Sequence, residues 1–185
     1  MVTLKKIISM KFLIMIALMN LTSNCTKDKL LKDDELSIKV TDYKGNKLKL
    51  DGYFYQQKNK YYYDIYCFYN NGILLAAGGT FLSVAEMDDY LNREFINNKS
   101  YQIHKSNWGV FILENNNIKF ERWYPGDPPL KAHVREGTIA NDSTFTITES
   151  YRIQKGKKTE VIARSETFHF KAFSPKPDST NKFIP

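Results

Sequence analysis

The chain reads as an all-β protein, an antiparallel up-and-down (meander) barrel of about eight to ten strands with one α-helix near residues 83–96. Three observations predict this. Short runs rich in Tyr, Phe, Val, Ile and Thr recur between clusters of turn residues, the composition of half-buried strands. Asn70-Asn71-Gly72 is the most specific hairpin signal, because Asn-Gly tolerates the positive φ angles of a tight turn. Phe145, Ile147, Glu149, Tyr151 and Ile153 alternate with Thr146 and Thr148, the period-two pattern of a strand.

The elements follow in order. Ser37–Thr41 and Lys47–Leu50 read as weak strands around Lys44-Gly45-Asn46. Gly52–Gln57 and Tyr61–Tyr69 flank Lys58-Asn59-Lys60, and Asn70-Asn71-Gly72 turns the chain into Ile73–Ala77. Ser83-Val84-Ala85-Glu86 then fits a capping box, in which Ser and Glu satisfy backbone donors at a helix start. Val84, Met87, Leu91 and Phe95 recur at helical spacing. This helix either plugs or covers the sheet, or forms a lid over a cavity. Trp108–Leu113 and Ile118–Tyr124 flank Glu114-Asn115-Asn116-Asn117 as a further hairpin. Leu130–Ile139, Thr144–Ile153 and Thr159–Phe170 complete the series, with turns at Asn141-Asp142-Ser143 and Gln154–Lys158.

A length of 185 residues suits one domain plus a leader, enough to bury a core without disulfides. Aromatic residues make up 14% of the chain, against 9 Gly and 6 Pro, so most of it should fold. The formal net charge is +7, of which Lys5, Lys6 and Lys11 of the leader supply three. The remaining excess of four is scattered rather than striped, which argues against nucleic acid as a partner.

Lys5, Lys6 and Lys11 followed by the apolar stretch Phe12–Met19 have the layout of a secretory signal peptide. The apolar run is too short to span a bilayer. Translation from Met1 or from Met10 gives the same expectation of export. Leu21-Thr22-Ser23-Asn24-Cys25 resembles the lipobox of bacterial lipoproteins, with Asn24 where Gly, Ala or Ser is usual. The resemblance implies cleavage after residue 24, lipid attachment at Cys25, and an outer-membrane anchor facing the periplasm or the cell surface. Several acyl chains make such an anchor stable where one does not. Cys67 sits within a strand-like run and reads as a small buried apolar residue. With Cys25 lipidated it is a free thiol; the rival is a Cys25–Cys67 disulfide. Residues 25–36 read as the lipidated cysteine with a charged tether, 37–173 as the barrel domain, and 174–185, rich in Pro and polar residues, as a disordered tail. The strand layout over 37–173 is similar to the lipocalin-like barrel lipoproteins of Bacteroidota.

No motif declares a reaction, and enzyme activity is not expected. His104, His133 and His169 lack metal-ligand spacing, and neither a Gly-X-Ser-X-Gly elbow nor a phosphate loop occurs. No cofactor or metal is expected. Asp64, Glu121 and Glu149 are the acids that would have to converge for acid–base chemistry, but acids on strands usually face outward. Aromatics supply the candidate binding residues. Both faces of Tyr61–Tyr69 are apolar or aromatic, which singles out Tyr62 and Tyr66, and Trp123-Tyr124-Pro125 suggests a rigid loop at a barrel rim. Two functions follow. One is a non-catalytic interaction module docking a protein or glycan through Trp123 and Tyr124, with the barrel filled by its own side chains. The other is a carrier barrel for a small apolar or amphipathic ligand.

Overall fold

The computed structural model describes residues 32–126 and 128–185. The leader, Cys25 and most of the expected tether therefore lie outside the described residues. Eight strands run in chain order: β1 (Gly52–Gln57), β2 (Tyr62–Phe68), β3 (Ile73–Thr80), β4 (Trp108–Glu114), β5 (Asn117–Trp123), β6 (Ala132–Asn141), β7 (Thr144–Gln154) and β8 (Lys157–Ala172). Each pairs antiparallel with the next, and β8 returns to β1 with Phe54 opposite Phe170, so the sheet closes into the expected meander barrel. Closure removes the unpaired edges that an open sheet would carry.

Alternation decides what fills the barrel. Phe54, Phe68, Phe120, Phe145 and Phe168 point inward with Tyr66, Leu74 and Ile147 to form one buried cluster. Phe145 stacks on Phe168 at 4.9 Å, and Phe68 meets Phe111 edge-on at 4.9 Å. An eight-stranded barrel is just wide enough for its own side chains to fill, and these rings fill one half of it.

The opposite residues of the same strands, Tyr53, Ile65, Cys67, Leu75 and Trp108, form a second buried cluster on the outer wall. This explains the two apolar faces of β2. The inner face looks at the core, and the outer is covered by helix α1 (Val84–Leu91), its π-helical continuation Asn92–Asn97 and the C-terminal segment. Ser83 Oγ caps α1 by accepting from Glu86 N at 3.1 Å. The Glu86 carboxylate accepts from Leu82 N at 2.5 Å, one residue earlier than in the standard capping box. Met87, Leu91 and Phe95 are buried as their spacing predicts. Tyr53 donates to Asp88 Oδ1 at 2.5 Å, and Lys171 pairs with the same carboxylate. The helix thus lies along the barrel side as a cover, not across an opening as a lid.

Residues 37–41 and 47–50, expected as weak strands, form no strand and join no sheet, with bends at Ser37-Ile38 and Lys47-Leu48. They belong to a strap that descends the outer wall and crosses one end of the barrel. At that closed end Tyr43 N donates to Asn70 O at 2.6 Å and Lys49 N to Asp142 O at 2.9 Å. Leu48, 3% exposed, drops into the interior cluster. Gly72 in the β2–β3 turn has φ +76°, and a Cβ there would lie 2.3 Å from Thr41 O, so the strap requires glycine at this position. Neither Asn70 nor Asn71 is left-handed.

The structure also corrects the reading of both flanks. Asp33 and Asp34, placed in the charged tether, are docked on the barrel through the contacts given below. The stretch from Ser174, expected to be a disordered tail, packs against the outer wall. Lys176 Nζ donates to Leu50 O at 2.6 Å, Asn71 Nδ2 to Ser179 Oγ at 2.9 Å, and Ile184 is 6% exposed among the helix-side residues. The Pro and polar residues suggested disorder, but the apolar ends, Phe173 and Phe183-Ile184, are what hold the segment down.

Candidate binding pocket at the open end of the barrel

The interior changes character halfway along its axis. On β2 the inward series runs Phe68, Tyr66, Asp64, Tyr62, from ring to charge. On β5 it runs Ile118, Phe120, Arg122, and on β8 Phe168, Glu166, Arg164. Arg135 of β6 lies opposite Phe120 on one side and Ser150 on the other. The charged ends of these series meet beyond the aromatic half and enclose a cavity of about 290 Å³, whose rim includes Lys58, Pro125 and Ile162. A larger furrow, about 520 Å³, runs beside the strap on the outer wall past Ile38, Leu113 and Tyr151. It faces solvent and does not enter the barrel.

Tyr66 and Arg135 make the floor. Arg135 Nη1 donates to Tyr66 Oη at 2.9 Å, and its guanidinium sits 5.8 Å from the Phe120 ring and 5.6 Å from the Phe168 ring. Arg135, 3% exposed, cannot lose its charge and so needs counter-charges. Asp64 Oδ2 lies 3.7 Å from it, and Glu166 forms a close ion pair with it. Lys58 Nζ holds Asp64 at 2.7 Å from the rim, and Arg164 Nη1 lies 3.7 Å from Glu166.

Arg122 is held differently. Its Nη1 donates to the carbonyls of Ser106 at 2.8 Å and Trp123 at 3.2 Å, and its guanidinium lies 4.0 Å from the Tyr124 ring. Its Nε is closed off from solvent and has no hydrogen-bond partner. Burial alone would raise the Tyr66 phenol, yet the Arg135 and Arg122 guanidiniums outweigh it and bring its pKa below the ordinary value. Burial likewise pushes the Tyr124 phenol up. His133, with its ring 5.0 Å from that of Tyr124, is held toward the neutral form by burial first and by the Arg152 charge second.

Three of the four aromatic candidates therefore converge. Tyr62 and Tyr124 line the cavity and Tyr66 closes it below, although all three belong to an internal pocket rather than an outward binding surface. Trp123 lies on the opposite face of β5. It is 4% exposed, its Nε1 donates to Asp34 O at 2.6 Å, and Lys105 Nζ sits 4.3 Å over its ring. It clamps the strap. Around it, Asp33 accepts from Lys105 at 2.8 Å and from Leu130 N at 2.7 Å. Asp34 accepts from Ala132 N at 3.0 Å and Arg152 Nη2 at 2.8 Å.

Asp64, Glu121 and Glu149 do not meet. Asp64 faces the interior, whereas Glu121 is buried under the strap, accepting from Ser37 N at 2.6 Å and Ile38 N at 2.8 Å. Glu149 pairs with Lys158 on the outside. Cys67 is a buried free cysteine whose thiol burial pushes up to about 12, so it is no nucleophile at neutral pH. Among the described residues no three His, Cys, Asp or Glu side chains come together as a metal would require.

The charged residues of the pocket carry only a phase signal in the sequence: Arg122 and Glu166 each stand two residues from an inward phenylalanine, and so share its face. The arrangement offers fixed guanidiniums, phenol rings and an aromatic floor, groups suited to holding a ligand. Comparison with models of known protein families, with curated proteins and with solved structures returned no match.

Proposed function

We propose that this protein is a membrane-anchored envelope lipoprotein whose barrel is a non-catalytic binding module, taking a small polar ligand into the open-end pocket. The observation that carries the binding half is the cavity of about 290 Å³ lined by Tyr62, Tyr124 and a set of charged side chains. Concave sites with a few convergent polar groups are the usual form of a small-molecule site. An apolar carrier role is less well supported, because the aromatic half of the interior is filled. Docking through a Trp123–Tyr124 loop is less well supported too, because the indole is buried under the strap. The anchor half rests on the basic and apolar leader and on Cys25.

Native mass spectrometry of protein purified from its own host tests the binding half. A co-purifying small polar molecule is expected, lost when Tyr62 and Tyr124 are both replaced by Ala. A ligand that survives that double substitution would place binding elsewhere. Intact mass tests the anchor, since a chain beginning at Cys25 without added acyl mass would remove it.

A further inference from the structure

Resting on this pocket reading, we infer that the ligand is a small anion that presents a carboxylate or a phosphate group to Arg122. The charge balance of the pocket carries the inference. Lys58, Arg122, Arg135 and Arg164 contribute four positive charges, and Asp64 and Glu166 two negative ones. Both carboxylates are already engaged, Asp64 with Lys58 and Arg135 and Glu166 with Arg135 and Arg164. Arg122 donates to two backbone carbonyls and lies against a ring face; the Tyr66 and Tyr124 phenols and, more weakly, Asp64 favour its charge, but among the described residues no carboxylate pairs with it directly. Arg122 thus keeps its charge without a direct ion-pair partner, and its Nε, closed off from solvent, has no acceptor at all. A bound oxyanion supplies what the protein does not, and planar carboxylate and phosphate edges match the guanidinium fork. The lowered Tyr66 phenol reports the same positive potential at the floor.

Size narrows the class further. About 290 Å³ is room for about ten waters at ~30 Å³ each, at the lower end for ligand pockets. The aromatic floor admits no acyl chain. The ligand is a compact organic acid or phosphate ester, with Tyr62 and Tyr124 offering ring faces to its body.

Calorimetric titration at constant ionic strength, with chloride as the control, tests this using benzoate, phenyl phosphate and inorganic phosphate. At least one is expected to bind. Benzoate alone would assign a carboxylate, phenyl phosphate alone an ester, and inorganic phosphate equally well a free ion. Arg122→Gln should weaken binding by about tenfold or more, the range for a lost hydrogen bond to a charged group. If Arg122→Gln fails to fold, Arg164→Gln at the exposed rim is the second variant and should weaken binding several-fold. Anion binding unchanged by either substitution would overturn the inference. Binding of neutral methyl glucoside, lost on Tyr62→Ala, with no response to any anion would overturn the charge assignment and leave the pocket reading standing. Silence from all four probes would take down both.

Discussion

Trp123→Ala separates a structural tryptophan from a binding one. The indole is 4% exposed, donates to Asp34 O at 2.6 Å and carries Lys105 4.3 Å over its face. Replacing a buried Trp by Ala costs about 3–5 kcal/mol in transfer and cavity terms. The lost hydrogen bond, about 1 kcal/mol net, and the cation–π contact push toward the upper part of that range. Release of the strap into water offsets some of it, because the Asp34 carbonyl then finds a new donor. A net loss of about 4 kcal/mol is expected. At roughly 2–4 °C per kcal/mol for a domain of this size, that lowers Tm by roughly 8–16 °C. Urea unfolding gives the free energy, and hydrogen exchange over residues 33–38 shows whether the strap opens first. The pocket is on the other face of β5, so ligand affinity in the folded variant should hold. A loss below about 1 kcal/mol with unchanged exchange over 33–38 would refute the clamp.

Three further outcomes follow from the same structure. Phe68→Ala should cost about 3–5 kcal/mol, because its ring meets those of Phe54, Tyr66, Phe111, Phe120 and Phe145; Phe68→Leu should cost markedly less in the same denaturant series. The strap should loosen in acid. Asp33 is held below the ordinary carboxylate range first by Lys105 and then by Leu130 N–H. Burial would raise Asp34, but the Ala132 N–H and Arg152 outweigh it. Both folded values are depressed, so this stabilisation is complete above the ordinary Asp range and is lost as pH falls through the lowered values. Glu121 works the other way, since burial raises it and its protonation favours the folded form as pH falls. The Trp123 indole N–H resonance should shift on acidification in the parent and much less in Asp33→Asn/Asp34→Asn; an unshifted parent resonance down to the acid limit would refute the pairing. Finally, Cys67, with its thiol at about 12 and no exposure, should resist a thiol reagent in the folded protein and react at once in urea. Rapid native labelling at Cys67 would contradict the burial described.

Local chemistry explains why the barrel was legible in the sequence. Gly52–Gln57 is a strand over the bounds read from its turns, and the spacing of Met87, Leu91 and Phe95 located the helix and its buried face. These are short-range signals, written in periodicity and capping. The strap was misread because Ser37–Thr41 and Lys47–Leu50 have strand-like composition but find no free sheet edge to join. Asp33 and Asp34 were misread because a charge in a charged run looks solvated until a partner 72 or 118 residues away is known. The pocket was half legible. Aromatic content pointed to Tyr62, Tyr66 and Tyr124, whereas Arg122 and Arg135 owe their role to barrel closure, which brings β2, β5, β6 and β8 around one axis.

The filled aromatic half has a consequence for selectivity. A cup with a solid bottom measures only the tip of what enters it. Since Phe120 and Phe168 lie directly beneath Arg135, a longer molecule gains nothing by going deeper and must trail outward past Tyr62, 39% exposed at the rim. Molecules sharing one end group but differing in the rest should then compete on nearly equal terms, and the barrel would recognise a terminus instead of a whole compound.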